Sequence, residues 1–155
     1  MYDVEKKLEE LGITLVSAPD PMANYVSVQK AGGLWVFSGA GPFTDGKPSI
    51  FGRLGETLTT QQGYEAARLA GINLLAVLKR ELGGDWSKLR QIVKVQGFVN
   101  STDDFTEQPQ VINGVSDLFG EVLGERGRHA RTAVAVNTLP FGIPVEVEMI
   151  VYVAD

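Results

Sequence analysis

The strongest constraint on folding lies in residues 129–155, HARTAVAVNTLPFGIPVEVEMIVYVAD, which read as two strands joined by a proline-bracketed turn. Side chains alternate faces along a strand. Thr132, Val134 and Val136 therefore share one face, and Arg131, Ala133, Ala135 and Asn137 the other. In the second strand Val145, Val147, Met149, Val151 and Val153 share a face, which leaves Glu146 and Glu148 opposite with Ile150 and Tyr152. His129, the only histidine, lies two residues before Arg131, so in an extended segment both point the same way. Two carboxylates, a guanidinium and an imidazole thus occupy apolar, β-prone surroundings. Charge is costly there unless it is paired or used.

The rest of the chain reads as alternating strands and helices. Residues 3–11 fit a short helix with Val4, Leu8 and Leu11 on one side and Gly12 as its stop. Ile13 to Val16 is β-prone and ends at a turn, Pro19-Asp20-Pro21. Tyr25 to Gln29 and Leu34 to Ser38 are strand candidates around a Gly32-Gly33 hairpin turn. Residues 39–58 are rich in Gly and Pro without periodicity and read as a long loop, unusual unless functional or structured by a partner.

Thr59 to Gln62 is a capping-box start. The helix behind it carries Tyr64, Ala67, Gly71, Leu74, Leu78 and Leu82 on one stripe, and Gly71 predicts a close approach to a sheet. Ile92 to Val99 is a strand. A further helix opens near Thr106 with Pro109 in its first turn and runs to Gly124, burying Val111, Val115, Leu118 and Val122. The order is α+β, a mixed sheet with two helices on one face, within a single unit over 1–155 that includes an N-terminal helical extension over 1–16. Both sheet faces carry apolar side chains, so the face without helices is expected to pack against other subunits.

Composition narrows the function classes. Fourteen basic against nineteen acidic residues give a net charge of −5, with no basic stripe, which argues against nucleic acid as a partner. Zero cysteines and one histidine leave no disulfide, no thiolate chemistry and no ordinary zinc site. The acidic, helix-like N-terminus lacks the basic start and apolar core of a signal peptide, and no 18-residue apolar run exists. A cytoplasmic protein without membrane contact is the expectation.

Several chemical motifs fail on inspection. Gly39-Ala40-Gly41 follows a strand, but Pro42 comes next and no helix begins there, so it is not a dinucleotide-binding turn. Ser38 is no nucleophile elbow, because Val36 stands where a glycine is needed. Arg131 and Glu146 admit two readings. One is a cross-strand ion pair of Arg131 with Glu146 or Glu148, worth up to about 1 kcal/mol; the other is a guanidinium fork for a small carboxylate beside a carboxylate able to orient water. His129 and Asn113 likewise read either as plain polar residues or as parts of a site. Tyr25 could be an ordinary strand aromatic.

Taken in order, Asn24-Tyr25, Phe37-Ser38-Gly39 with Pro42, Val111-Ile112-Asn113, Ala130-Arg131, Leu139-Pro140 and Val145-Glu146-Val147-Glu148 resemble the YjgF/RidA family, also called L-PSP endoribonuclease-like, over residues 20–155. That resemblance implies a chorismate-mutase-like fold, a homotrimer and ligand clefts between subunits. It implies hydrolysis of small enamines and 2-imino acids, such as 2-aminoacrylate, to a 2-oxo acid and ammonia, with no cofactor or metal. By position, Arg131 would bind the substrate carboxylate, Glu146 would activate water, and Tyr25, Ser38 and Asn113 would line the pocket. His129 stands where the family commonly has proline, and Ala133 where many members have cysteine. The loop over residues 43–58 adds Arg53 as a second anion contact. A non-catalytic carboxylate-binding or regulatory trimer is the alternative, with ribonuclease activity a third.

Overall fold

The computed structural model describes residues 2–16 and 20–154. Among these residues three α-helices, α1 (Val4–Glu10), α2 (Thr60–Glu81) and α3 (Gln108–Leu123), accompany seven strands. The strands are β1 (Val28–Ala31), β2 (Leu34–Phe37), β3 (Phe43–Thr44), β4 (Lys47–Pro48), β5 (Leu89–Asn100), β6 (Ala130–Val136) and β7 (Val145–Val153). The main sheet has the order β1-β2-β7-β5-β6, and only the β5–β6 pair is parallel. The sheet is therefore mixed, with α3 as the crossover between its two parallel strands.

Local sequence accounts for the element ends. Thr59 accepts from Gln62 N while the Gln62 side chain accepts from Thr59 N, the capping box that starts α2. Pro109 sits in the first turn of α3, where a missing N–H costs nothing. Alternation along β7 turns Val145, Val147, Met149, Val151 and Val153 inward, each at most 3% exposed. They meet Leu74, Leu78, Val111, Val115 and Leu118 of the helices in one core. Helix α1 adds Val4 and Leu8 to that core and is pinned by Trp86 Nε1 donating to Glu5 at 2.6 Å.

The helix pair packs very closely at two glycines. A Cβ on Gly114 would overlap the Tyr64 carbonyl oxygen, and one on Gly71 would lie 2.9 Å from Leu118. Gly71 thus faces α3 rather than the sheet. The sheet face away from the helices leaves Leu34, Val36, Val134 and Tyr152 between 39% and 48% exposed. Among the described residues no helix is long and apolar enough to cross a membrane.

Three local expectations differ from the structure. Ile13 to Val16 is not a strand, because no neighbouring strand offers it a ladder. The first strand begins at Val28, three residues later than its β-prone sequence. Residues 39–58 are not structureless: β3 and β4 form a hairpin around Asp45-Gly46, both at positive φ as such tight turns demand. Pro19 of the proposed turn lies outside the described residues.

Candidate functional site

Arg131 lies on the edge strand β6, paired with Val95 of β5, which in turn pairs with Met149 of β7. Residues paired across strands point to the same side of a sheet. Val95 and Met149 are buried under the helices, so Arg131 faces α3 as well. There its Nη1 donates to Asn113 Oδ1 at 2.7 Å and to Ser116 Oγ at 3.2 Å. Asn113 and Ser116 are one turn apart on α3 and share a face.

His129 completes a chain of hydrogen bonds behind the guanidinium. Its Nδ1 is 2.6 Å from the Gly127 carbonyl and its Nε2 is 2.9 Å from Ser116 Oγ. A carbonyl can only accept, so Nδ1 carries the proton and Nε2 of the neutral ring accepts from the Ser116 hydroxyl. Ser116 then has lone pairs left for Arg131. Burial holds the His129 pKa below its ordinary value, aided by the Arg131 charge and opposed by the Gly127 bond. Each donor in this chain meets an acceptor.

The result is a guanidinium held by one nitrogen and open at the other two. Nε and Nη2 of Arg131 have no partner among the described residues and form one edge of the fork that grips a carboxylate. Because a guanidinium cannot accept, the Asn113 amide oxygen must face it, which leaves the Asn113 NH₂ free to donate. The geometry suits an anion bearing a neighbouring acceptor.

A second group gathers around a cavity of about 200 Å³ beyond the end of β2. Tyr25, Ser38, Gly39 and Glu146 line it, with Phe43, Pro140 and Phe141. Ser38 Oγ donates to the Val26 carbonyl at 2.6 Å, which ties down the segment carrying Tyr25. A Cβ on Gly39 would collide with Glu146 Oε1, so glycine makes room for the carboxyl group. Glu146 has no hydrogen bond or ion pair among the described residues. Burial raises its pKa, and the Glu148 charge adds to the rise. A carboxylate whose proton affinity is raised in this way is a better proton acceptor than one in water.

Arg131 and Glu146 do not meet within one chain. Glu146 pairs with Phe98, three positions along β5 from Val95, so it points to the opposite sheet face. The two residues are separated by about 10 Å along the strands and about 10 Å across them. A cross-strand ion pair is excluded. Arg53 joins neither group: its loop is held by Gly52 N to Gly142 O and Leu54 N to Asn100 O, and its buried Nε has no partner.

Sequence reasoning missed Ser116, although its spacing of three from Asn113 on a helix was a usable signal. It also missed Asn73, whose amide donates to the Gly41 and Phe43 carbonyls at 3.0 Å each and fixes that turn on α2.

Known proteins share this architecture. The family described as "YjgF/chorismate mutase-like, putative endoribonuclease" matches residues 5–154. Protein TCP17 of Trypanosoma cruzi is 43% identical over 149 residues, covering 96% of this chain and 92% of that protein. The crystal structure of protein Atu1372 from Agrobacterium tumefaciens, whose function is described as unknown, is 44% identical with a TM-score of 0.91, covering 97% of this chain and 92% of that one. A Shewanella oneidensis MR-1 structure with the same endoribonuclease description is 31% identical with a TM-score of 0.93, covering 97% and 99%.

Proposed function

Because the chain belongs to the YjgF/chorismate mutase-like family and has its fold, we propose that it hydrolyses small reactive 2-imino acids to 2-oxo acids and ammonia, as a homotrimer. The observation that carries this reading is the half-occupied guanidinium of Arg131, anchored by Asn113 and Ser116 with its Nε–Nη2 edge free. The substrate carboxylate sits on that edge. Glu146 accepts a proton from water as its oxygen attacks the imine carbon. The same carboxyl then returns the proton to nitrogen to give the carbinolamine, and, ionised again, takes the hydroxyl proton and passes it to the amine as the C–N bond breaks, so that ammonia leaves behind a carbonyl.

Since the two halves lie on opposite faces of one sheet, the complete site forms where Arg131 of one copy meets the cavity of the next. The exposed apolar sheet face supplies a surface for that assembly. Tyr25 and Ser38 then border the imine from the cavity side and Asn113 from the arginine side. Ammonia release from freshly generated 2-aminoacrylate or 2-iminobutanoate tests the reading. Wild type is expected to accelerate it and Arg131→Ala to lose at least 100-fold; equal rates would overturn it.

A further inference from the structure

Phe141 carries backbone strain that its burial within the described residues does not offset. Among the described residues only two non-glycine positions have positive φ, Asp45 in its tight turn and Phe141 at 62°. The left-handed region is strained for a side chain of this size. Phe141 is also 56% exposed, so it does not recover that strain by burial. Strain held beside a cavity is characteristic of places where a ligand binds.

The surroundings fix the ring rather than leave it loose. Phe43 packs against it edge to face, with centroids 6.1 Å apart and planes at 76°. Phe43 is in turn held by the Asn73 amide, which binds the carbonyls of Gly41 and Phe43. A Cβ on Gly41 would come within 2.7 Å of Ile143 and 3.2 Å of Phe43, so the wall is close-packed from behind. The cavity thus has a polar side at Tyr25, Ser38 and Glu146 and a rigid aromatic side at Phe43 and Phe141.

We propose that Phe141, backed by Phe43, selects the substrate's side chain, and that this site takes 2-imino acids bearing a large apolar or aromatic group. The proposal rests on the hydrolytic reading above for the imine and extends it to the rest of the molecule. A ring or branched chain leaving the 2-carbon would stack on the exposed Phe141 face. A three-carbon or hydroxylated substrate would leave that face wet.

Phe141→Gly tests this, because glycine relieves the backbone while removing the ring. Imines made in place by an amino-acid oxidase from phenylalanine, leucine and alanine serve as substrates, and phenylpyruvate and pyruvate as calorimetric probes. For wild type, kcat/KM for the phenylalanine- and leucine-derived imines should exceed that for the alanine-derived one at least tenfold. In Phe141→Gly that ratio should collapse towards one. Equal ratios in the two proteins, or no preference in wild type, would overturn the proposal. So would a change of oligomeric state with selectivity intact, which would make the ring a subunit contact. If no imine is hydrolysed but phenylpyruvate still binds tighter than pyruvate, and only with Phe141 present, the hydrolytic reading fails and the selectivity stands.

Discussion

Replacing Ser116 by alanine removes two hydrogen bonds at once, the 3.2 Å bond it accepts from Arg131 and the 2.9 Å bond it gives to His129. The first involves a charged donor but is long, so it contributes about 1.5 kcal/mol; the second contributes about 1 kcal/mol. Ser116→Ala should therefore destabilise the fold by about 2.5 kcal/mol. His129→Gln should cost about 1–2 kcal/mol through the same Ser116 bond and the one to Gly127. The Ser116–His129 bond is lost only once in the double variant, so that variant should be less destabilised than the sum by about 1 kcal/mol. Loosened from one anchor, Arg131 must also be re-immobilised by a ligand. That weakens 2-oxobutanoate binding roughly three- to tenfold. Urea unfolding of the four proteins at one protomer concentration reads the first effect and calorimetry the second. Additivity within about 0.3 kcal/mol would refute the hydrogen-bond chain, since independent sites behave that way.

The same chain makes stability depend on pH. The folded pKa of His129 lies below its ordinary value of 6.5, so the unfolded chain binds its proton more readily. The neutral ring's contribution is present above pH 6.5 and is lost as pH falls through the lowered folded value. Wild type should lose stability there in urea titrations while His129→Gln loses less; parallel curves would count against a neutral, half-buried ring. Gly114→Ala should cost at least about 3 kcal/mol, because a methyl group has no room beside the Tyr64 carbonyl and α2 and α3 must move apart. A melting temperature within a degree or two of wild type would contradict that packing.

Periodicity and end signals made much of the fold legible. The capping box at Thr59 and Gln62, the apolar stripe of α3 and the alternation of β7 are local properties, and each appears where its pattern places it. Alternation also set the side of each charged residue within its own strand. It could not reveal that β5 lies between β6 and β7, and that insertion separates Arg131 from Glu146. Gly71 and Gly114 show the same boundary. At Gly71 the need for a small residue was visible in the helix, but the surface it meets is set by the packing of the other helix, and the still tighter contact at Gly114 left no such sign. Asp45-Gly46 was a hairpin signal in plain view that the surrounding glycines and prolines obscured.

The division of charged groups between the two faces of the sheet has a consequence for inheritance. In the proposed assembly each complete site would draw its guanidinium from one chain and its carboxyl from another. Two alleles, one lacking Arg131 and the other lacking Glu146, would then each be inert as pure assemblies. Expressed together they would mingle, and some junctions would pair an intact arginine with an intact glutamate. Lesions at these two positions should therefore complement one another, whereas two lesions in the same half should not.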